Sequence, residues 1–446
     1  MLPTAAQSRA GLSPPLLLTS LAGVLRQWLP EQRWFAGKGL PVTDLALVST
    51  TELHPGCLHL LIRSRHAGSR DDCYQLLLGV RRVLPPRLHH AVIGRPGEGP
   101  LAGLTVYDAL HDPRSAALLL ERLRTPGTAG PLRFERDVQA AVPPGLTPRV
   151  LDGEQSNTSL VYGDSYILKV FRRIQYGVNP DLEVPRALAG AGCARVSSPV
   201  AWFWTSEPRK TTLGVLQPFL RGATDGWTLA LQSLASGRDF TDESYELGRA
   251  TAEVHLALAR VFAPDAPDRH GGRRLAAAMI SRLDTTARQV PALVPYVSRL
   301  RAAYDAVAAR GPGRPPQRIH GDLHLGQVLR AGHRWFVIDF EGEPAHPIAE
   351  RVRAQAPVRD VAGMLRSFDY AAHAGRPREP RWARRCREAY CAGYAAEAAW
   401  DPRTQADLLR AHETDRAVYE ALYEARHRPD WLPVPMAAIA RLAEGR

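Results

Sequence analysis

At 446 residues the chain is too long for one ordinary core, so two or three domains are expected. Hydrophobic residues make up 45% and charged residues 23%, the balance of a globular protein rather than a disordered or fibrous one. No apolar run reaches the roughly 18 residues of a membrane span, and no start combines a basic end, an unbroken apolar run and a small-residue cleavage site, so neither a membrane nor an export signal is expected. The net charge of +12 rests on arginine, since Lys38, Lys169 and Lys210 are the only lysines. These arginines are scattered among acids without a basic run or interleaved aromatics, which excludes a nucleic-acid strip and leaves a positive cleft for a phosphorylated ligand. The cysteines Cys57, Cys73, Cys193, Cys386 and Cys391 have neither metal-ligand nor disulfide-framework spacing, as in a cytoplasmic protein.

In chain order, Gly11 to Leu29 reads as a short amphipathic helix with Leu21, Val24, Leu25 and Trp28 on one face. Leu45–Val48, Leu58–Ile62 and Tyr74–Val80 are apolar runs between polar turns, a small sheet. Pro85–Gly103 reads as a linker, 104–124 as a helix, and Pro126–Pro148 as loop. Ser159–Tyr162 and Tyr166–Phe171 form a hairpin around Gly163-Asp164-Ser165. Asn179-Pro180 starts a helix, because Asn caps and Pro suits the first turn. Strands follow near Val200–Trp204 and Leu213–Leu220, and beyond Gly222 the pattern is helical, with Leu247, Ala250, Val254 and Leu258 on one face. The expected division is 1–90, 91–148, 149–221 and 222–446: a cap subdomain, an intermediate piece, a sheet-rich lobe and a helical lobe.

The residues with the most specific spacing are His320-Gly321-Asp322-Leu323-His324-Leu325-Gly326-Gln327, followed by an apolar strand ending in Asp339. Phosphoryl transfer needs a carboxylate at the attacking hydroxyl, oxygen ligands for Mg²⁺, and cations around the phosphates. Asp322 suits the first task. Gln327 and Asp339 suit the second, because Mg²⁺ takes few protein oxygens and keeps phosphates and waters as its other ligands. His324 either meets the acceptor or packs the loop. Upstream, Glu154-Gln155-Ser156-Asn157-Thr158-Ser159 opens the hairpin as a candidate phosphate cradle, although it has no Walker ending. Lys169 lies inside an apolar strand, where an unmatched charge is costly. It is the candidate cation for the nucleotide phosphates, with Glu183 as its partner. Gln217 and Phe219 lie where strand gives way to helix and could meet an adenine edge.

With these residues the chain resembles the aminoglycoside-phosphotransferase branch of the eukaryotic-type kinase fold, and within it the bacterial maltokinase family. Gln32-Arg33-Trp34-Phe35-Ala36-Gly37-Lys38-Gly39, the Asp322 loop, Asp339-Phe340-Glu341-Gly342-Glu343-Pro344, the stretch from Arg359 to Tyr370, and the tail from Ala417 to Trp431 carry the resemblance. It implies a bilobal α/β (α+β) fold and the transfer of phosphate from ATP, with Mg²⁺, to the anomeric hydroxyl of maltose. The product would feed α-glucan synthesis from trehalose, with trehalose synthase as a partner. Asp322 maps to the catalytic aspartate, Gln327 and Asp339 to metal ligands, and Lys169 to the nucleotide lysine. The glutamine at 327 favours maltokinases over the wider branch, which has asparagine there. Arg33-Trp34-Phe35 is a docking surface or core. Tyr419, Glu420, Tyr423, Glu424, Arg428 and Trp431 are candidates for holding the sugar, against helix packing and salt bridges. A cationic amino sugar, as in glucosamine or aminoglycoside kinases, would instead recruit Glu341, Glu343 and Glu424. A non-catalytic kinase-like partner of trehalose synthase is the reading from another class.

Overall fold

The computed structural model describes residues 13–66, 71–151, 156–262, 270–310, 314–343, 346–375 and 379–445. Gly11, Glu154, Gln155 and Pro344, named above, lie outside them. The chain divides into two units, Met1–Glu183 with Ser198–Arg221, and Val184–Ser197 with Gly222–Arg446.

The first unit opens with α1 (Pro14–Trp28), whose prolines suit the first turn and whose Leu17, Leu21 and Leu25 are buried on one face. They cover a sheet of β1 (Val42–His54), β2 (Cys57–His66), β3 (Asp72–Arg81), β4 (Val92–Gly94) and β5 (Thr105–Asp108), in the order β1-β2-β3-β5-β4. The stretch 85–103 is therefore not a linker. It contributes β4 to the sheet and buries Leu88, Ile93 and Leu101, so the boundary expected at 90 falls inside one sheet. The helix expected from 104 begins only at α2 (Pro113–Arg124), where Asp112 accepts from the Arg114 amide at 3.1 Å. At the start of the expected helix, Thr105–Asp108 are all buried as β5, and four residues are too few to show a helical or strand period. Arg33-Trp34-Phe35 resolves partly as core: Phe35 is buried and stacks on Tyr74, and Trp34 packs beside the same ring.

A second sheet takes β6 (Gly127–Ala129), β7 (Leu132–Arg136), β8 (Pro148–Val150), β9 (Asn157–Tyr162) and β10 (Tyr166–Phe171). After β11 (Arg173–Ile174) and α3 (Pro180–Gly190), β12 (Ala201–Thr205) and β13 (Thr211–Pro218) complete it, in the order β6-β7-β12-β13-β10-β9-β8. The expected loop 126–148 thus holds two strands. The β9–β10 hairpin forms as expected, with Tyr162 opposite Tyr166 and positive φ at Gly163 and Asp164. Asn179 caps α3 by accepting from the Asp181 amide at 2.8 Å.

The two sheets are joined through Arg172, because β10 belongs to the second sheet and β11 pairs with β3 of the first. Arg172 is 1% exposed; its guanidinium donates to Asp108 and, at 2.8 Å, to Thr158, and lies over the Trp34 ring. Beside it the buried Gln75 amide donates to the carbonyls of Phe171 and Leu213 at 2.7 and 2.8 Å, while its oxygen meets His59.

The second unit is mainly helical: α4 (Gly226–Ser236) follows the short β14 (Thr224–Asp225), then α5 (Thr241–Val261), α6 (Gly271–Ala287) and α7 (Val297–Arg310). Between these and α8 (Ile348–Arg351), α9 (Val358–Ala374), α10 (Pro380–Ala398), α11 (Ala406–His427) and α12 (Pro433–Ala443) lies the hairpin β15 (Val328–Ala331) and β16 (Arg334–Val337). Leu247, Ala250, Val254 and Leu258 are buried on one face of α5. The stretch 184–197, expected with the sheet-rich lobe, groups here: Val184, Leu188 and Val196 share a core with Leu323, Trp335 and Val337. Among the described residues no helix is long and apolar enough to cross a membrane.

Candidate active site

Asp322 sits on a loop held from behind by α9. The first turn of that helix presents Asp360, which is 1% exposed and accepts from the His320 and Gly321 amides at 2.7 and 2.9 Å and from His255 Nε2 at 3.1 Å. Burial alone would raise the Asp360 carboxyl, but the His255 bond and the Gly321 amide hold it below the usual carboxylate value. Gly363, one turn on, lets the loop approach: a Cβ there would lie 2.6 Å from the Leu323 carbonyl. Ser367, a further turn on, accepts from the Leu325 amide at 3.0 Å. Positions 360, 363 and 367 thus form one helical face that fixes the loop backbone.

His320 ties this loop to the β16 end. Its Nε2 donates to the Ile338 carbonyl at 2.8 Å, which leaves Nδ1 to accept from the Asp322 amide at 3.3 Å. The hairpin ladder continues past Val328 opposite Val337 with the Ile338 amide donating to the Gln327 carbonyl at 3.0 Å. This register brings Gln327 Nε2 to 2.9 Å from Asp339 Oδ2. Asp339 has φ 64°, the left-handed region that non-glycine residues seldom occupy. The amide oxygen and carboxylate are hard donors, two in number, and suit a magnesium ion whose other ligands are phosphates and water. His324 caps the turn before Gln327 by accepting from the Gly326 amide at 3.0 Å, and burial lowers its pKa. The loop-packing alternative thus accounts for its Nδ1.

Asp322 faces a cavity of about 440 Å³ whose lining includes Tyr419, Arg416, the Arg282–Asp415 pair, Glu343 and Arg359. Arg416 Nη1 donates to Asp322 Oδ1 at 3.0 Å. Burial would raise the Asp322 carboxyl, but the Arg416 guanidinium beside it outweighs this and holds the group below the usual carboxylate value. Arg416 was not singled out from the sequence. Its clue was helical spacing, since it lies three and four residues before Tyr419 and Glu420.

The tail residues separate. Tyr419 lines the cavity. Glu420 is buried and accepts from Arg366 at 2.7 and 3.0 Å; Glu424, 1% exposed, accepts from Arg428 at 2.7 and 2.9 Å and from the Tyr370 hydroxyl at 3.2 Å. Both carboxylates are engaged by arginines, Glu420 by the buried Arg366 and Glu424 by the half-exposed Arg428. Tyr423 and Trp431 lie against the Arg428 guanidinium, and Trp431 stacks on Tyr370, a cluster outside the cavity lining. Glu341 lies outside that lining too, and its carbonyl accepts from Arg351 at 2.6 Å.

In the first unit, Lys169 Nζ donates to Asp181 Oδ2 at 2.9 Å. The helix supplies a carboxylate as expected, and the one hydrogen-bonded in this contact is two positions before the half-buried Glu183. Three of the four described residues of the expected phosphate cradle lie in β9. Asn157, Thr158 and Ser159 are strand residues; strand alternation buries Asn157 and Ser159, and Thr158 Oγ1 accepts from Arg172. Ser156 alone of the four is exposed. Gln217 lies opposite Ile167 in the ladder, and the Phe219 amide donates to the Ser165 carbonyl at 2.9 Å, so that N–H is already engaged.

Residues 147–403 match the family described as phosphotransferase enzyme family, and 28–112 match the maltokinase N-terminal cap domain. The chain belongs to the phosphotransferase enzyme family and is a kinase of that type, with its sheet-rich N-terminal and helical C-terminal regions. It is similar to a glucosamine kinase of Mycolicibacterium smegmatis, 31% identical over 66% of this chain and 79% of the relative. A glucosamine kinase of Streptacidiphilus jiangxiensis is 28% identical over 79% of this chain and 83% of the relative. A solved glucosamine kinase in complex with glucosamine, ADP and inorganic phosphate aligns with TM-score 0.67 and 25% identity, covering 99% of this chain and 100% of that one.

Proposed function

We propose that the chain is an ATP-dependent sugar kinase that phosphorylates maltose at its anomeric hydroxyl, giving maltose 1-phosphate and ADP. The match of residues 28–112 to the maltokinase cap carries the acceptor. The cavity charge agrees with it: six arginines and five carboxylates line the space, so a neutral sugar suits it better than an ammonium. The product would feed α-glucan synthesis from trehalose, with trehalose synthase as a partner.

In the transfer, Asp322 accepts a hydrogen bond from the anomeric hydroxyl and orients it. The hydroxyl oxygen bonds to the γ-phosphorus while the bond to the β–γ bridging oxygen breaks, and ADP leaves with that electron pair. The proton passes to Asp322 and then to solvent. A carboxylate held below its usual pKa is a weak base, which suits a loose transition state in which the proton leaves late. Gln327 and Asp339 would hold Mg²⁺, which when bound neutralises charge on the phosphates. Lys169, set by Asp181, would meet the phosphates of the nucleotide.

Glucosamine is the second reading, favoured by the names of both relatives and of the solved structure. The test is ADP release with ATP, MgCl₂ and a panel of maltose, glucose, glucosamine and an aminoglycoside. Maltose should give the highest kcat/KM. A higher value for glucosamine would replace maltose with the second reading. No turnover with any sugar would sink both.

A further inference from the structure

A carboxylate has two oxygens related by a nearly two-fold torsion, so an unfixed one presents either oxygen to an acceptor. Asp322 is fixed at one of them. Arg416 holds Oδ1 at 3.0 Å, and Oδ2 makes no hydrogen bond among the described residues. Arg416 is itself secured from behind: its Nε lies 3.5 Å from Glu420 Oε1 and its guanidinium sits over the Tyr419 ring. Glu420 is gripped by Arg366, 1% exposed, which also holds Asp369 at 2.8 Å. This alternation of charges runs from the helix core to the cavity wall and stops at Asp322.

We propose that Arg416 is a positioning residue for Asp322, holding one carboxylate oxygen so that the other is left for the acceptor hydroxyl; the inference rests on the kinase reading above. Phosphoryl transfer depends on aligning the hydroxyl with the γ-phosphorus, and a misplacement of about 1 Å costs on the order of 10²-fold. The guanidinium supplies that alignment through its hold on Asp322 Oδ1. Its charge has a second effect, keeping a largely buried carboxylate ionised where burial would otherwise favour the acid.

The test is the pH dependence of kcat/KM for the best sugar of the panel, at saturating ATP and Mg²⁺, in the parent, Arg416→Gln and Arg416→Lys. In Arg416→Gln the acid limb should move to higher pH, and kcat should fall about 10²-fold with the KM for ATP unchanged. Arg416→Lys should return the limb towards the parent's while kcat stays low, because an ammonium keeps the charge and loses the planar fork. A folded Arg416→Gln enzyme with an unmoved limb overturns the proposal. So does an Arg416→Lys enzyme with parental kcat, and that variant decides the matter even where the glutamine form does not fold. An inactive parent sinks the kinase reading instead, so the two failures are distinct.

Discussion

Lys169 and Asp322 are both charged groups in largely buried surroundings, and the chain secures them on different plans. Lys169 stands on β10, and its hydrogen-bonded partner Asp181 comes 12 residues later, at the start of the next long helix. Asp322 stands on a loop and is held by groups 38 to 94 residues away: Asp360 on its backbone neighbours and Arg416 on its side chain. The strand site relies on regular structure for its position. The loop site has no ladder of its own and needs side chains from two helices to be as rigid. The loop site is therefore the more fragile, and its supports are the places to test.

The largest effect is expected at the carboxylate itself. Asp322→Asn should lower kcat by about 10²–10⁴-fold with little change in melting temperature, since the amide keeps the shape. Asp360→Ala comes next and separates backbone support from chemistry. It leaves two loop amides and the buried His255 without their acceptor, and should cost about 3–5 kcal/mol in denaturant unfolding along with most activity. The corresponding change in the strand site, Asp181→Asn, should keep the fold, because β10 stays in its sheet. There kcat/KM for ATP should fall roughly tenfold, read from initial rates; a loss of folding comparable to Asp360→Ala would erase the contrast. Gly363→Ala should cost about 1–3 kcal/mol, as the new Cβ pushes on the Leu323 carbonyl.

The smallest effect is a pH dependence carried by one buried histidine in each unit. Burial lowers the pKa of both His59 and His412 to about 4. The unfolded chain binds more protons than the folded one between there and the ordinary histidine value near 6.5. Stability therefore rises with pH across that window and is lost as pH falls through it. Calorimetry from pH 7 to pH 5 should show a falling melting temperature, with a shallower fall in His412→Phe. An equal slope in that variant would remove His412 from the account.

The arrangement of the loop was legible because it is local. Asp322, Gln327 and Asp339 lie within a short stretch, and the hairpin that joins the last two follows from apolar runs around a turn. The β9–β10 hairpin and the Asn179 cap were readable for the same reason. Arg416 was not, because its pairing with Asp322 spans 94 residues and nothing in a single sequence links them. The ion pairs of Glu420 and Glu424 were not legible either, because an amphipathic helix shows which residues share a face without saying whether an arginine or a sugar meets them. Around residue 90, proline and glycine suggested a linker, yet β4 needs only three residues to join a sheet.

The bridge made by Gln75 and Arg172 bears on how such a chain can be rearranged. The cap region 28–112 contributes an amide to carbonyls on β10 and β13, and Asp108 to a buried guanidinium. A cap joined in this way is not a bead on a string. Cutting it away would strip two carbonyls and a cation of their partners within the very sheet that carries Lys169. Swapping caps between relatives should succeed only when the graft brings along the glutamine, the aspartate and their seats on the recipient strands.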